Sequence, residues 1–149
     1  MDEPVFSIRV EPAPGATLSY TGAEVLLRVA IDNALPVEIA LPFVKMRHNG
    51  VAVKFADGAD PSNFAYANRC PGCGSPEEKD ETLVKLAPGG SVSFDRSIEP
   101  FELEQFTGPE LVDVICEFSV RTKVLVGEQW REQISKAAAR IQGRRLEAQ

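Results

Sequence analysis

The sequence has few of the features that mark membrane, nucleic-acid-binding and secreted proteins. No apolar run approaches the roughly 18 consecutive residues that a membrane-spanning helix needs, so no membrane span is predicted. Acidic residues outnumber basic ones, 22 to 16, and no basic stripe with interleaved aromatic residues is present, which argues against a nucleic-acid partner. The N-terminal segment MDEPVFSIRV has two acids and no apolar region after them, unlike a secretory signal. The chain as written is therefore expected in the cytoplasm, with an exported mature form left open.

Histidine and cysteine are also scarce, which restricts catalysis and metal binding. The only histidine, His48, stands in a turn signal, and no serine, aspartate or cysteine motif completes a catalytic triad with it, so we do not expect an enzyme. Cys70 and Cys73 form a CPGC knuckle, but a closed zinc site needs four ligands, and only Cys116 and His48 remain in this chain. No cofactor is therefore expected. The alternatives for the knuckle are free thiols, a loop disulfide, or a zinc site, which a second copy of the chain could complete.

Short segments of alternating apolar and polar residues dominate the rest of the sequence. Residues 24–43 read as two strands joined by a turn at 32–36, where the chain must reverse or change sheets. In residues 111–121 one face carries only Val112, Val114, Cys116, Phe118 and Val120. Turn signals at intervals of roughly 8–12 residues separate seven or eight such strands. The prediction is an all-β fold, an antiparallel two-sheet sandwich.

A family resemblance accompanies this pattern. It rests on VAIDN at 29–33 followed by Pro36-Val37, and on LAPGGSVSF at 86–94. These stretches resemble bacterial immunoglobulin-like modules, including the intracellular proteinase inhibitor type and the domains attached to some secreted peptidases. The resemblance covers about residues 5–122. It implies an immunoglobulin-like sandwich and, as an alternative function, a protease-inhibitor-like domain in which a loop blocks an active site.

Two segments depart from the strand pattern. Residues 57–81 have no periodicity, and loops longer than about 12–15 residues are uncommon in compact domains and usually either functional or disordered. After Gly127 the period changes, and an apolar stripe at helical spacing predicts an amphipathic helix of about sixteen residues; it consists of Trp130, Ile134, Ala137, Ala138 and Ile141. The chain is thus predicted to divide into a β-sandwich domain, 1–123, and a C-terminal helix and tail, 124–149.

These features predict a non-catalytic protein-interaction or structural and assembly module, with a protein partner or a second copy of the chain. The expected contact elements are the 57–81 loop and the helix, the latter through Trp130, Ile134, Ile141 and Arg140. Docking of the helix on its own domain or on a partner stays open, because amphipathicity identifies a buried face but not what covers it. Truncation after Lys123 is expected to leave a folded β domain. A zinc-binding or redox protein that uses the CPGC knuckle is a further alternative.

Overall fold

The computed structural model describes residues 4–21, 23–43, 46, 50–67, 83–103, 106 and 111–144. This part of the chain contains ten strands and a short helix, α1 at Pro100–Leu103. The strands are β1 Phe6–Pro12, β2 Ser19–Tyr20, β3 Val25–Asn33, β4 Ile39–Leu41, β5 Val51–Asp57, β6 Phe64–Tyr66, β7 Val84–Leu86, β8 Ser91–Ile98, β9 Leu111–Val126 and β10 Gln129–Arg144. The protein is mostly β, as predicted, with more strands than the seven or eight expected. Within the described ranges, no helix has the length and apolar character needed to cross a membrane.

The strands form two sheets. The smaller sheet has the order β1-β3-β8 and is antiparallel throughout. The larger sheet has the order β2-β10-β9-β4-β7, with β5 paired to β9 and β6 paired to β5. Its pairings are antiparallel except that of β2 with β10, which is parallel and covers only Ser19 and Tyr20. The long β9–β10 hairpin is therefore the centre of the larger sheet.

One hydrophobic core lies between the inner faces of the two sheets. Phe6, Leu27 and Ile31 from the smaller sheet are fully buried, as are Phe118 and Ile141 from the larger one. The alternation predicted for residues 111–121 is confirmed, because the five apolar side chains of that face are at most 1% exposed in β9. Burial of each large apolar side chain contributes on the order of 1.5–3 kcal/mol, which makes this face the main anchor of the hairpin.

The chain crosses between the sheets at the predicted turn. β3 ends at Asn33 in the smaller sheet, and β4 begins at Ile39 in the larger one. The buried Asn33 amide donates to the carbonyls of Val37 (2.8 Å) and Leu86 (3.1 Å), and its Oδ1 accepts from the N–H of Leu35 (2.9 Å). Because buried polar groups require partners, this one side chain holds the crossing in place.

The predicted C-terminal helix is wrong. Gln129–Arg144 forms β10 and pairs with β9 along its whole length, from Gln129 opposite Val126 to Arg144 opposite Leu111. The strand pattern was hidden because the inward-facing positions of β10 include the polar Gln133 and Ser135, which bond to the backbone of β1. β9 provides a pairing partner for every residue of β10. This tertiary pairing outweighs the helical spacing of the apolar residues in 130–141. The predicted domain boundary between residues 123 and 124 falls inside β9.

Candidate interaction surface

A two-residue turn, Gly127-Glu128, connects β9 to β10. Gly127 has a φ of 62°, whereas no described non-glycine residue has a positive φ. A positive φ at only the first central residue identifies a type II′ turn, whose twist matches that of antiparallel strands. The turn closes the pair Val126–Gln129 and so sets the register of all sixteen residue pairs of the hairpin.

Alternate side chains of β10 face solvent on the outside of the larger sheet. We call this set the β10 outer row; it consists of Trp130, Glu132, Ile134, Lys136, Ala138 and Arg140, all exposed. Trp130 and Ile134 are each 52% exposed, and they are two of the large apolar side chains that stand out on the surface of the described residues. Isolated exposed apolar residues are ordinary, but here two lie on one strand, four residues apart.

The backbone of the same residues is also open on one side. The N–H of Gln142 donates to the carbonyl of Leu18, next to β2, and therefore points away from β9. Because backbone groups alternate along an antiparallel strand, the N–H and C=O groups of the even-numbered residues 130–140 point the same way. β2 pairs only with Gln142 and Gly143, so no other described strand covers these groups. We call them the free edge of β10.

Two ion pairs cross the outer face of the hairpin. Arg121 of β9 reaches Glu132 with Nη2–Oε1 and Nε–Oε1 distances of 2.6 and 2.8 Å. Arg140 contacts Asp113 with two of its three guanidinium nitrogens, Nη2 at 2.5 Å and Nε at 2.7 Å. The hydrogen bond from Arg140 lowers the pKa of Asp113 below its usual value, and the same bond raises the pKa of Arg140. These exposed pairs fix side-chain positions more than they stabilise the fold.

A cleft of about 270 Å³ lies beside the first ion pair. Its described lining consists of Pro42, Met46, Gly50, Arg121, Thr122, Lys123 and Glu132. Glycine is required at position 50 of this lining, since a Cβ atom there would lie 2.2 Å from the carbonyl oxygen of Arg121. The cleft adjoins the β10 outer row through Glu132, so the two features form one continuous surface.

The inner side of β10 joins the two sheets. Gln133 accepts hydrogen bonds at Oε1 from the N–H groups of Val5 (2.5 Å) and Phe6 (3.4 Å), and donates from Nε2 to the carbonyl of Phe6 (2.7 Å). Ser135 donates to the same carbonyl (2.9 Å). The edge of β1 that faces away from β3 is thus bonded by side chains of β10 and not by its backbone.

The predicted contact residues are divided between two faces. Trp130, Ile134 and Arg140 lie together in the β10 outer row, as a shared surface would require. Ile141 was expected beside them on a helix face, but it is fully buried on the opposite side of the strand. Positions 134 and 141 share a face at helical spacing and lie on opposite faces at strand spacing, which is the reason for the error.

The predicted loop at 57–81 is described only in part. Residues 57–67 include the end of β5 and the short strand β6, so this portion is ordered by pairing, contrary to the expectation of a structureless loop. Phe64 and Tyr66 are exposed there and contact each other edge to face, with ring centroids 6.0 Å apart. The predicted metal or thiol residues Cys70 and Cys73 lie outside the described residues.

The third cysteine is confirmed as a core residue. Cys116 is fully buried in β9, and burial raises the pKa of its thiol to about 12, so the thiol is neutral near pH 7. Reactive or metal-binding cysteines require the thiolate. In the described residues no three histidine, cysteine, aspartate or glutamate side chains are grouped as a metal site.

Sequence reasoning missed the residues whose role depends on the strand pairing. Neither Gln133 nor Lys136 had an assigned role in the sequence analysis. Glu132 and Lys136 were visible as opposite charges four residues apart, a spacing that favours contact on a helix. On β10 the same spacing places them on one face but on either side of Ile134, so they are separated within one chain.

Comparisons with known proteins do not identify a family. No protein-family model and no curated protein matches the chain. A solved structure of a protein from Archaeoglobus fulgidus is similar to it over 90% of this chain and 93% of that chain, with 9% identity and a TM-score of 0.39. The X-ray structure of a Northeast Structural Genomics Consortium target is similar over 91% of this chain and 83% of that chain, with 8% identity and a TM-score of 0.39. Similarity at this level carries no functional information.

Proposed function

We propose that the chain is a non-catalytic protein-binding or assembly module that works through the outer row and free edge of β10. The observation that carries the proposal is the coincidence, on residues 130–140, of backbone groups without a described strand partner and two half-exposed apolar side chains. Addition of a strand to such an edge satisfies the backbone groups, while alternate side chains supply specificity.

The free edge of β10 suits this role better than the outer edge of β8. β8 is also the last strand of its sheet in the described residues, but none of its side chains is among the exposed large apolar residues. Aromatic and aliphatic side chains usually contribute most of the binding energy at protein interfaces. Trp130 and Ile134 therefore favour β10 as the binding strand.

The immunoglobulin-like assignment belongs to the same proposal. Two sheets that enclose one core, with the chain crossing between them at Asn33, are what such a sandwich requires. Immunoglobulin-like modules are commonly used for binding, which is an argument from fold alone. The protease-inhibitor-like and the zinc or redox alternatives depend on the resemblance and on residues 68–82; inhibition assays and metal analysis remain their tests.

A site-specific cross-linking experiment tests the proposal. A photoreactive amino acid is placed at Ile134 in cells that express the chain, and at Phe101 of α1 as a control that is more exposed, 71% against 52%. We expect an adduct from position 134 that is lost when Lys136→Pro is added, because proline removes an N–H from the free edge without removing a bond to β9. Absence of an adduct, or equal adducts from both positions, would contradict the proposal.

A further inference from the structure

We infer that the occupant of the free edge of β10 is a second copy of this chain, bound antiparallel across a two-fold axis at Ile134. This inference rests on the proposed function and specifies its partner. The two copies of β10 would join their larger sheets edge to edge into one continuous sheet. Closed two-fold pairing of this kind is the commonest symmetry of protein dimers and leaves no unpaired strand at the junction.

The backbone geometry restricts how two copies can meet. Only even-numbered residues present N–H and C=O groups at the free edge, so hydrogen-bonded pairs must join even-numbered residues of both chains. A two-fold axis at residue 134 satisfies this condition. It pairs Ile134 with the partner's Ile134, Glu132 with the partner's Lys136, and Trp130 with the partner's Ala138.

The charge pattern of the outer row selects this register. An axis at Glu132 or at Lys136 would place two like charges directly opposite each other, which is destabilising. An axis at residue 133 or 135 would place charged side chains opposite apolar or aromatic ones, such as Ile134 opposite the partner's Glu132 or Lys136. Only the axis at Ile134 pairs Glu132 with Lys136 twice and joins apolar residues elsewhere.

The described strand pairings of β10 leave residues 130–138 available for this register. β2 pairs with β10 only at Gln142 and Gly143, beyond the residues 130–138 that the second copy would cover. Lys136 faces Ser119 across the ladder and forms no ion pair with another described residue, so its charge is available to the partner. Glu132 is bonded by Arg121 of β9 through Oε1 alone, and its side chain stays 45% exposed.

Charge reversal provides the test. We expect the unmodified chain, 16.2 kDa, to form a concentration-dependent dimer in sedimentation velocity experiments. Glu132→Lys or Lys136→Glu alone would raise the dissociation constant roughly tenfold, because each change makes both pairs of the interface repulsive. An equimolar mixture of the two variants would form a heterodimer with near-original affinity, since every pair then has opposite charges. Lys85→Glu on β7, the same change at an exposed residue elsewhere, would leave the dissociation constant unchanged.

The outcomes that overturn the inference are distinct from those that overturn the proposed function. A chain that is monomeric at all concentrations, a dimer insensitive to both single reversals, or a mixture that fails to associate would each overturn the β10 dimer. Circular dichroism of each variant verifies that it is folded before association is measured. A monomeric chain whose Ile134 position cross-links to a different protein would overturn the dimer and leave the proposed function standing. A monomeric chain without any cross-link would overturn both.

Discussion

At the scale of single residues, the described ion pairs differ in how far they are removed from water. Arg96 and Glu102 have side chains 28% and 10% exposed and meet at 2.8 and 2.9 Å through two parallel hydrogen bonds. Arg9–Asp32 and Arg28–Asp95 cross the outer face of the smaller sheet and are more exposed. Screening by water makes exposed pairs nearly neutral for stability, so the enclosed pair is the one whose loss should be measurable.

The Arg96–Glu102 pair makes a prediction about acid stability. Burial alone would raise the pKa of Glu102, but hydrogen bonds from Arg96 and from the N–H of Glu99 lower it below its usual value of 4.5. A carboxyl group with a lowered folded-state pKa stabilises the fold above its unfolded-state pKa and loses this contribution as the pH falls through the folded-state pKa. We expect Glu102→Gln to lower the free energy of unfolding by about 1–2 kcal/mol at pH 7.

The same variant should be less sensitive to acid than the unmodified chain. The difference in unfolding free energy between the two proteins, measured by urea denaturation, should stay constant between pH 6 and 8 and shrink below about pH 4.5. Asp95→Asn, which removes a more exposed pair, serves as the control and should change stability by less than about 1 kcal/mol. If the difference in unfolding free energy grew as the pH fell, the Arg96–Glu102 pair would not stabilise the fold through a lowered Glu102 pKa.

At the scale of elements, two isoleucines of β10 lie in opposite environments. Ile141 is fully buried against the core, whereas Ile134 is 52% exposed on the outer row. We expect Ile141→Ala to cost about 2–5 kcal/mol of unfolding free energy. Ile134→Ala should change it by less than about 0.5 kcal/mol when measured at low protein concentration. On an amphipathic helix both would lie on the buried face, so equal costs would contradict the strand.

The pairing of β10 also predicts the result of truncation. Removal of the residues after Lys123 deletes the end of β9 and all of β10, including the buried Val124, Ala139 and Ile141. We therefore expect the truncated chain to lose its cooperative thermal unfolding transition, contrary to the sequence-based expectation that residues 1–123 fold alone. Far-UV circular dichroism with a thermal scan measures this. A truncated chain with a cooperative transition would show that β10 is dispensable for the core.

A comparison of β9 with β10 shows which strands can be predicted from the sequence pattern and which cannot. Residues 111–121 of β9 were predicted correctly because their inward positions are all apolar and their outward ones are mostly polar, so period and burial agree. In β10 the inward positions mix Gln133 and Ser135 with alanines, and the exposed positions include Trp130 and Ile134. Neither face is uniformly apolar. This mixture of polar and apolar residues follows from the polar contacts of β10 with β1 and from its exposed edge. The local periodicity of the sequence reveals neither of these two features.

At the scale of the whole molecule, Gln133 connects the two sheets at the side where β1 lies against β10. Its amide bonds to the N–H groups of Val5 and Phe6 and to the carbonyl of Phe6. We expect Gln133→Leu to reduce the unfolding free energy by about 1–3 kcal/mol, since it leaves backbone groups of β1 without partners. Hydrogen exchange at Val5 and Phe6 should become faster. Gln129→Leu, an exposed position on the same strand, should change neither quantity.

The sequence by itself determined the all-β class, the inward row of residues 112–120 in β9, a turn at residues 32–36 and the burial of Cys116. Each depends on a local pattern: period-two burial, turn chemistry, or a small apolar side chain in an apolar row. The tertiary structure alone decided that residues 129–144 are a strand, that Ile134 and Ile141 lie on opposite faces, and that one edge of β10 has no described strand partner over residues 130–140. These depend on which distant backbone is available to pair, because a ladder is formed between segments and a local sequence describes only one of them.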